Sequence, residues 1–307
     1  MLLKYKNLLA AGIVLSATGI TTNITEAACN APIAVQVLGS GGPDANDARA
    51  SSGYVIWIDG AARLLVDAGG GVFLRFGEAK AKFESLDAIA ITHLHADHVA
   101  DLPALLKSGF FSERKQPLAI IGPSGNQAFP GMKPFMSALF DRKRGAFRYL
   151  SGYLDGSGGL VKLNIAELDA ERTGPQRAFA NERFKVTAIG VKHGSVPALG
   201  YLIEAGGKRI AIAGDQNGDN PAFATAIAKA DVLIMDHAVP ELTDPVSQQL
   251  HARPSEIGTL AAKANVNQLI LSHNMSRSLT KLDESLAAIK ERYSGPVKVA
   301  SDLMCVE

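Results

Sequence analysis

The stretch Thr92-His93-Leu94-His95-Ala96-Asp97-His98 places three of the chain's seven histidines beside a carboxylate. The apolar residues 86–91 before it predict a buried strand, and residues 99–107 after it predict the start of a helix. On an extended chain His93, His95 and Asp97 project to one side, and His98 follows at the turn into the helix. Such a cluster is typical of a zinc, iron or manganese site with positions left open for water. The alternative is a polar loop in which the three histidines are hydrogen-bonded.

The N-terminal region has the features of a secretory signal peptide. Lys4 and Lys6 precede an apolar run at residues 8–15, and Thr25 and Ala27 are the small residues that cleavage after Ala27 requires. The apolar run is too short to predict a transmembrane anchor.

We therefore expect residues 1–27 to be removed and residues 28–307 to form a single domain, located in the periplasm or secreted. A lipoprotein acylated at Cys29 is the alternative, and Glu26, three positions earlier, disfavours it.

The charge of the chain is balanced. It carries 31 basic and 30 acidic side chains, and the part after the predicted leader is close to neutral. No overall field would recruit a polyanion. The basic run Arg142-Lys143-Arg144, with Arg148 nearby, most often marks a solvated helix end or loop, and nucleic-acid binding is the alternative there. Charge and export together argue against a nucleic-acid partner.

The chain has two cysteines, Cys29 and Cys305. In an exported protein we expect them to form a disulfide bond that closes a very long loop. Two unpaired thiols are the alternative, and neither cysteine has a catalytic context.

Short apolar runs predict strands in both halves of the chain. The strand candidates are residues 34–39, 54–58, 63–67, 118–121, 184–191, 200–204, 209–213, 232–236 and 268–272. Helices are predicted at residues 130–140, 254–264 and 281–293, whereas residues 141–180 have no clear pattern. Two halves that each mix strands with helices indicate packed sheets covered by helices, a layered α/β sandwich.

Three further donors each follow an apolar strand: His193, Asp215 and His273. One such residue alone is more often a turn or cap residue than a ligand. Three of them, in a chain that also has the histidine cluster, indicate a shared centre with two metal ions.

Across the mature sequence the chain resembles the metallo-β-lactamase superfamily. The resemblance rests on Leu38-Gly39-Ser40-Gly41-Gly42, on Leu65-Val66-Asp67-Ala68-Gly69 and on the histidine run. It implies a four-layer αββα metallo-β-lactamase-type sandwich. It also implies two metal sites bridged by Asp215, one held by His93, His95 and His193, the other by Asp97, His98 and His273. Asp67 would orient a ligand or cap a turn.

Within the superfamily the motifs are most similar to the ribonuclease Z and arylsulfatase-like branch. True metallo-β-lactamases lack the carboxylate that Asp215 supplies. Residues 193–201, 236–238 and 271–277 resemble ribonuclease Z motifs, and His251 stands where that family has a catalytic histidine. His237 would contact a ligand or be a buried, hydrogen-bonded residue.

The resemblance implies a hydrolase in which a metal-bound hydroxide, oriented by Asp97, attacks a phosphodiester or a sulfate ester, and the leader sequence indicates that this hydrolase is exported. His251 would be the general acid, with an ordinary surface residue beside a helix as the alternative. Two divalent ions are expected, Zn²⁺ by default, with Mn²⁺ or Fe²⁺ as alternatives. The expected substrate is a small-molecule ester, and relatives with this pattern are often homodimers. The competing functions are lactone, thioester or β-lactam hydrolysis by the same fold, and an inactive metal-binding homologue.

Overall fold

Two seven-stranded sheets pack face to face in the computed structural model, which describes residues 29–307. The predicted signal peptide, residues 1–27, lies outside the described residues. Within residues 29–307, no helix combines the length and apolar character needed to cross a membrane.

The first sheet is formed mainly by the N-terminal half of the chain. Its strands, numbered in chain order, are β1 (Ile33–Gly39), β2 (Gly53–Ile58), β3 (Ala61–Val66), β4 (Ala88–Ala90), β5 (Leu118–Pro123), β6 (Leu163–Leu168) and β14 (Cys305–Val306). Their spatial order is β14-β1-β2-β3-β4-β5-β6. Strands β3 to β6 run parallel to one another.

The second sheet is formed by the C-terminal half. Its strands are β7 (Gln176–Ala180), β8 (Phe184–His193), β9 (Val196–Ala205), β10 (Lys208–Ile212), β11 (Val232–Asp236), β12 (Leu269–Ser272) and β13 (Val297–Val299). They lie in the order β13-β12-β11-β10-β9-β8-β7, and β10 to β13 are parallel.

Helices cover the outer faces of both sheets. They are α1 (Val72–Glu78), α2 (Ala96–Val99), α3 (Leu102–Gly109), α4 (Met132–Phe140), α5 (Gly152–Asp155), α6 (Pro221–Ala226), α7 (Pro245–Leu250), α8 (Pro254–Ala264), α9 (Ser276–Leu279) and α10 (Leu282–Lys290). Single 3₁₀ turns lie at Phe83–Ser85 and Arg148–Leu150.

The alternation of side chains along each strand produces three stacked cores. In β1, Val35 and Val37 point into the core between the two sheets, whereas Ala34 and Leu38 point toward the helices on the outer face. A third core packs α6, α8 and α10 against the second sheet. Three cores between four layers confirm the predicted αββα sandwich.

Several element boundaries differ from those predicted. The helix expected to follow the histidine run is split into α2 and α3, because Pro103 occupies the first turn of α3, where a missing N–H costs little. The helix expected at residues 130–140 begins at Met132, since Gly131 is extended. Residues 141–180, which had no clear pattern, contain α5, β6 and β7.

Cys29 and Cys305 form a disulfide, with their Cα atoms 5.6 Å apart. It lies where β14 pairs with β1, because Gln36 is opposite Cys305 in that antiparallel pair. The bond therefore joins the last strand to the segment that leads into β1.

Candidate metal centre

All seven predicted metal ligands meet at one edge of the sandwich. The carboxyl ends of parallel strands share an edge, and the histidine run follows β4, Asp215 follows β10 and His273 follows β12. His193 is the last residue of β8. Each half of the chain therefore supplies donors to the same cleft, and together with His251 these donors form four overlapping groups that could each hold a metal ion.

Three histidines form the first of these groups. His93 Nε2 lies 3.0 Å from His95 Nδ1, which lies 3.3 Å from His193 Nε2. His93 and His193 are buried, and His95 is partly exposed. Leu250 O lies 2.8 Å from His193 Nδ1, so a proton on Nδ1 would leave Nε2 free to bind a metal.

A second group joins Asp97, His98 and His273. Asp97 Oδ2 lies 3.1 Å from His273 Nε2 and 3.5 Å from His98 Nε2. Asp215 stands between the two groups: its carboxylate oxygens lie 3.2 Å from His273 Nε2, 3.5 Å from His98 Nε2 and 3.9 Å from His193 Nε2.

These distances fit a metal centre. Ligands about 2.1 Å from a tetrahedral zinc ion stand roughly 3.4 Å from one another, which is the spacing seen here. His98 Nε2 is fully buried and has no hydrogen-bond partner among the described residues. A buried, unpartnered imidazole nitrogen costs free energy, and a metal ion would satisfy it.

The charges of the cleft also favour a cation. Burial lowers the pKa of His93 and His193. Burial alone would raise the pKa of Asp215, but the neighbouring His273 and His98 outweigh it and hold that pKa well below its usual value. Burial alone would lower the pKa of His98 and His273, but Asp215 and the other carboxylates outweigh it and raise the pKa of both. The carboxylates therefore favour positive charge at these two rings, and divalent ions would supply it in place of protons.

Asp67 fixes the orientation of the histidine run. Its Oδ1 accepts from the backbone N–H of Thr92 at 2.7 Å, and its Oδ2 lies 2.8 Å from both Thr92 Oγ1 and His98 Nδ1. Asp67 is buried with a positive φ of 61°, a conformation that costs a non-glycine residue energy. The carboxylate thus both caps the turn and directs His98 Nε2 into the cleft.

Two glycines allow the backbone to approach the ligands closely. A Cβ at Gly42 would lie 2.6 Å from the ring of His273, and a Cβ at Gly69 would collide with the carbonyl of Asp97. The glycine-rich turn after β1 therefore packs directly on a predicted ligand, which explains its place in the motif.

His251 lies beside the predicted metal ligands, at the end of α7 and 5.2 Å from His193 between ring centroids. Its Nδ1 lies 2.8 Å from Asp236 Oδ2 and 3.9 Å from Asp215 Oδ2. Burial lowers the pKa of His251 to about 4 and raises the pKa of Asp236 well above its usual value. His251, the predicted proton donor, is only 7% exposed. It is therefore a buried residue beside the cleft and not an ordinary surface residue.

The resemblance placed Asp236 in the motif at residues 236–238 but assigned it no role in the site, although it ends an apolar strand. Its neighbour His237 is buried, and Asn274 Oδ1 lies 3.0 Å from His237 Nδ1. His237 therefore contacts the residue after His273, and its link to the centre is indirect.

Comparison with known families identifies the class of the chain. Residues 62–274 match the family model described as "Beta-lactamase superfamily domain". The chain belongs to the beta-lactamase superfamily and is a metal-dependent hydrolase of the metallo-β-lactamase fold.

Within this superfamily, the chain is similar in sequence to several proteins named ribonuclease Z. The chain is 29% identical to a ribonuclease Z of Methanosarcina acetivorans over 304 residues, covering 89% of this chain and 97% of the relative. A ribonuclease Z of Mycobacterium bovis is 27% identical, with coverage of 89% and 97%.

Solved structures share the fold. The human short-form tRNase Z superposes with a TM-score of 0.68 at 23% identity, covering 89% of this chain and 98% of the other. The Bacillus subtilis metallo-beta-lactamase fold protein YhfI gives 0.68 at 22% identity, with coverage of 90% and 100%.

These relatives correct one expectation. Charge balance and the predicted export argued against a nucleic-acid partner. The relatives that this chain matches over nearly their whole length are, however, named ribonuclease Z, and a ribonuclease acts on a nucleic acid. The argument was wrong because overall charge describes the average field of a protein, whereas a local surface can bind a polyanion in a neutral chain.

Proposed function

We propose that the chain is an exported, binuclear, metal-dependent phosphodiesterase, with zinc as the metal and RNA as the first substrate class to test. The observation that carries the proposal is the position of Asp215. Its carboxylate lies within 4.0 Å of imidazole nitrogens from both groups, His93 and His193 on one side and His98 and His273 on the other. A carboxylate so placed is suited to bridge two metal ions about 3.5 to 4 Å apart.

The choice of a phosphodiester rests on this carboxylate and on the relatives. By resemblance, the bridging aspartate separates phosphodiesterases from true metallo-β-lactamases. The relatives named ribonuclease Z favour phosphodiesters over sulfate esters, because their name refers to RNA.

Divalent ions bound here would supply a Lewis acid that acidifies water and neutralises charge developing on the ester. The chain's own residues then control geometry and protons. The side chain of Asp97 is 11% exposed, so its Oδ2 can accept a hydrogen bond from the attacking water and orient that water. Hydrogen bonds and charge from His273 and His98 outweigh burial and lower the pKa of Asp97, so it stays ionised in this role.

His251 would deliver a proton to the leaving group. Because burial lowers the pKa of His251 to about 4, the ring is neutral near pH 7 and can donate only from a proton on Nε2. Asp236 Oδ2, 2.8 Å from His251 Nδ1, would then donate its own proton to Nδ1, and the raised pKa of that carboxyl group supports this role. General acid catalysis of this kind contributes about 10²- to 10⁴-fold.

Export is supported by the leader-like N-terminal sequence and by the Cys29–Cys305 disulfide, since such bonds persist in oxidising compartments. N-terminal sequencing of protein recovered from the periplasm or medium should begin at Ala28. Recovery of full-length protein from the cytosol would contradict export.

A panel of chromogenic substrates tests the reaction. Zinc- and manganese-loaded protein would be assayed on bis-p-nitrophenyl phosphate, p-nitrophenyl sulfate, p-nitrophenyl acetate and a chromogenic cephalosporin. We expect the phosphodiester to give the highest kcat/KM and Asp215→Ala to abolish it. Faster hydrolysis of any other member would contradict the proposal, and no turnover by fully metallated protein would favour a metal-binding role.

A further inference from the structure

An exposed aromatic cluster follows α3. Phe110 is 46% exposed, Phe111 is 74% exposed and Tyr149, from a separate loop, is 63% exposed. Lys107 Nζ lies 4.3 Å, 4.6 Å and 5.4 Å from the centroids of these three rings, respectively. None of the three rings belongs to a hydrophobic core of the described residues, so core packing does not account for their grouping around a cation.

The segment 141–149, which ends in the 3₁₀ turn that carries Tyr149, is strongly basic. Lys143, Arg144 and Arg148 are exposed, and none of them forms a salt bridge among the described residues. The one carboxylate of that segment, Asp141, accepts from the backbone N–H groups of Lys143 and Arg144, so it caps the turn and leaves their side chains free. Lys107, Phe110, Phe111, Lys143, Arg144, Arg148 and Tyr149 are called the aromatic–basic face below.

We propose that the aromatic–basic face binds single-stranded polynucleotide, the exposed rings stacking on bases and the cations pairing with phosphates. This inference rests on the proposed phosphodiesterase function and names its substrate class. Interleaved aromatic and basic side chains are what sequence-tolerant binding of single strands requires, because every base has a π-face and every nucleotide a charge. A groove of 480 Å³ beside Phe111, lined also by Phe73 and Leu74, offers room for an unstacked base.

The face lies away from the metal centre. Because α3 connects the parallel strands β4 and β5, it begins at the edge that carries the histidine run and ends at the opposite edge. Its eight residues alone span about 12 Å. A short ester therefore cannot touch both places, whereas a long strand can, and the face should affect long substrates only.

The test is a binding measurement on metal-loaded, full-length protein. The probe is a fluorescein-labelled 20-nucleotide 2′-O-methyl oligouridylate, followed by fluorescence anisotropy across a NaCl series. Phe111→Ala should weaken binding roughly 5- to 150-fold, the loss expected for one base–aromatic stack. Lys143→Ser with Arg144→Ser should reduce the slope of log K against log salt by about 1.4, because two phosphate contacts are lost.

A matched control removes two exposed lysines from the opposite side of the sandwich, Lys290→Ser with Lys298→Ser. It should leave the salt slope unchanged. In every variant kcat/KM on bis-p-nitrophenyl phosphate should equal that of the unsubstituted protein, since this substrate does not reach the face.

Unchanged affinity in Phe111→Ala would overturn the proposal, and so would an equal change of salt slope in the lysine–arginine pair and the control pair. A membrane surface is the competing partner. If Phe111→Ala releases the protein from phosphatidylglycerol vesicles in sedimentation without changing oligonucleotide affinity, the face binds lipid and the proposal fails. Loss of oligonucleotide binding in these variants, in a protein that does not hydrolyse the small diester, would support the face and reject the phosphodiesterase.

Discussion

The orientation of His98 depends on the charge of Asp67, and Asp67→Asn tests this dependence. The aspartate accepts from Thr92 N–H through Oδ1, and its Oδ2 faces both Thr92 Oγ1 and His98 Nδ1. In the variant, the amide oxygen must remain toward Thr92 N–H, so the amide NH₂ faces His98. Nδ1 of His98 then has to accept a hydrogen bond, which moves the ring proton to Nε2 and blocks the nitrogen aimed at the metal.

The size of the effect follows from this exchange. Altering the partner that orients a ligating histidine typically lowers metal affinity 10- to 100-fold, which corresponds to about 1.4 to 2.7 kcal/mol. The fold should change less, by about 1 kcal/mol in unfolding free energy of the metal-free protein, because the side chain keeps its shape and bonding positions. Asp67→Asn thus separates metal affinity from folding.

Competition with a chromogenic zinc chelator measures the affinity, and urea unfolding of metal-free protein measures stability. Asp283→Asn, which removes an exposed carboxylate from the first turn of α10, is the matched control for metal affinity and should leave that affinity unchanged. The reasoning is refuted if Asp67→Asn binds two zinc ions as tightly as the unsubstituted protein while His98→Ala does not.

Three further variants test the remaining assignments. Asp215→Ala should cost at least one metal per chain, and elemental analysis that still finds two would reject the bridging role. His251→Ala should leave metal content unchanged but lower kcat for phosphodiesters with poor leaving groups more than for good ones; loss of metal instead would make His251 a ligand. Cys29→Ser should lower the unfolding free energy by up to about 5.5 kcal/mol in the chain-entropy model, because the bond closes a sequence separation of 276 residues. An equal melting temperature with and without reductant would contradict that.

The sequence contained much of the candidate site because its signals are local. The histidine run, Asp215 and His273 each combine a ligand residue type with the end of an apolar strand, and both properties can be read along the chain. The contact between Asp236 and His251 is different, since it joins two elements across a turn and α7. The sequence spacing of Asp236 and His251 does not predict the hydrogen bond between them.

The fold was predicted where strands are fully buried and missed where they are not. β2 is buried at every position, so it stands out as an apolar run. β6 and β7 lie at sheet edges and are mostly half-buried, so they have neither a continuous apolar run nor a clean alternation. Their residues belonged to the segment 141–180 that could not be interpreted.

The disulfide between Cys29 and Cys305 also has a mechanical consequence. A force applied to the chain outside this bridge passes directly from one cysteine to the other across 5.6 Å of Cα separation. The two sheets and the metal centre lie inside the covalent loop and bear no load. Stretching by an optical trap should therefore extend the oxidised protein very little, and reduction should release the full contour length of the domain.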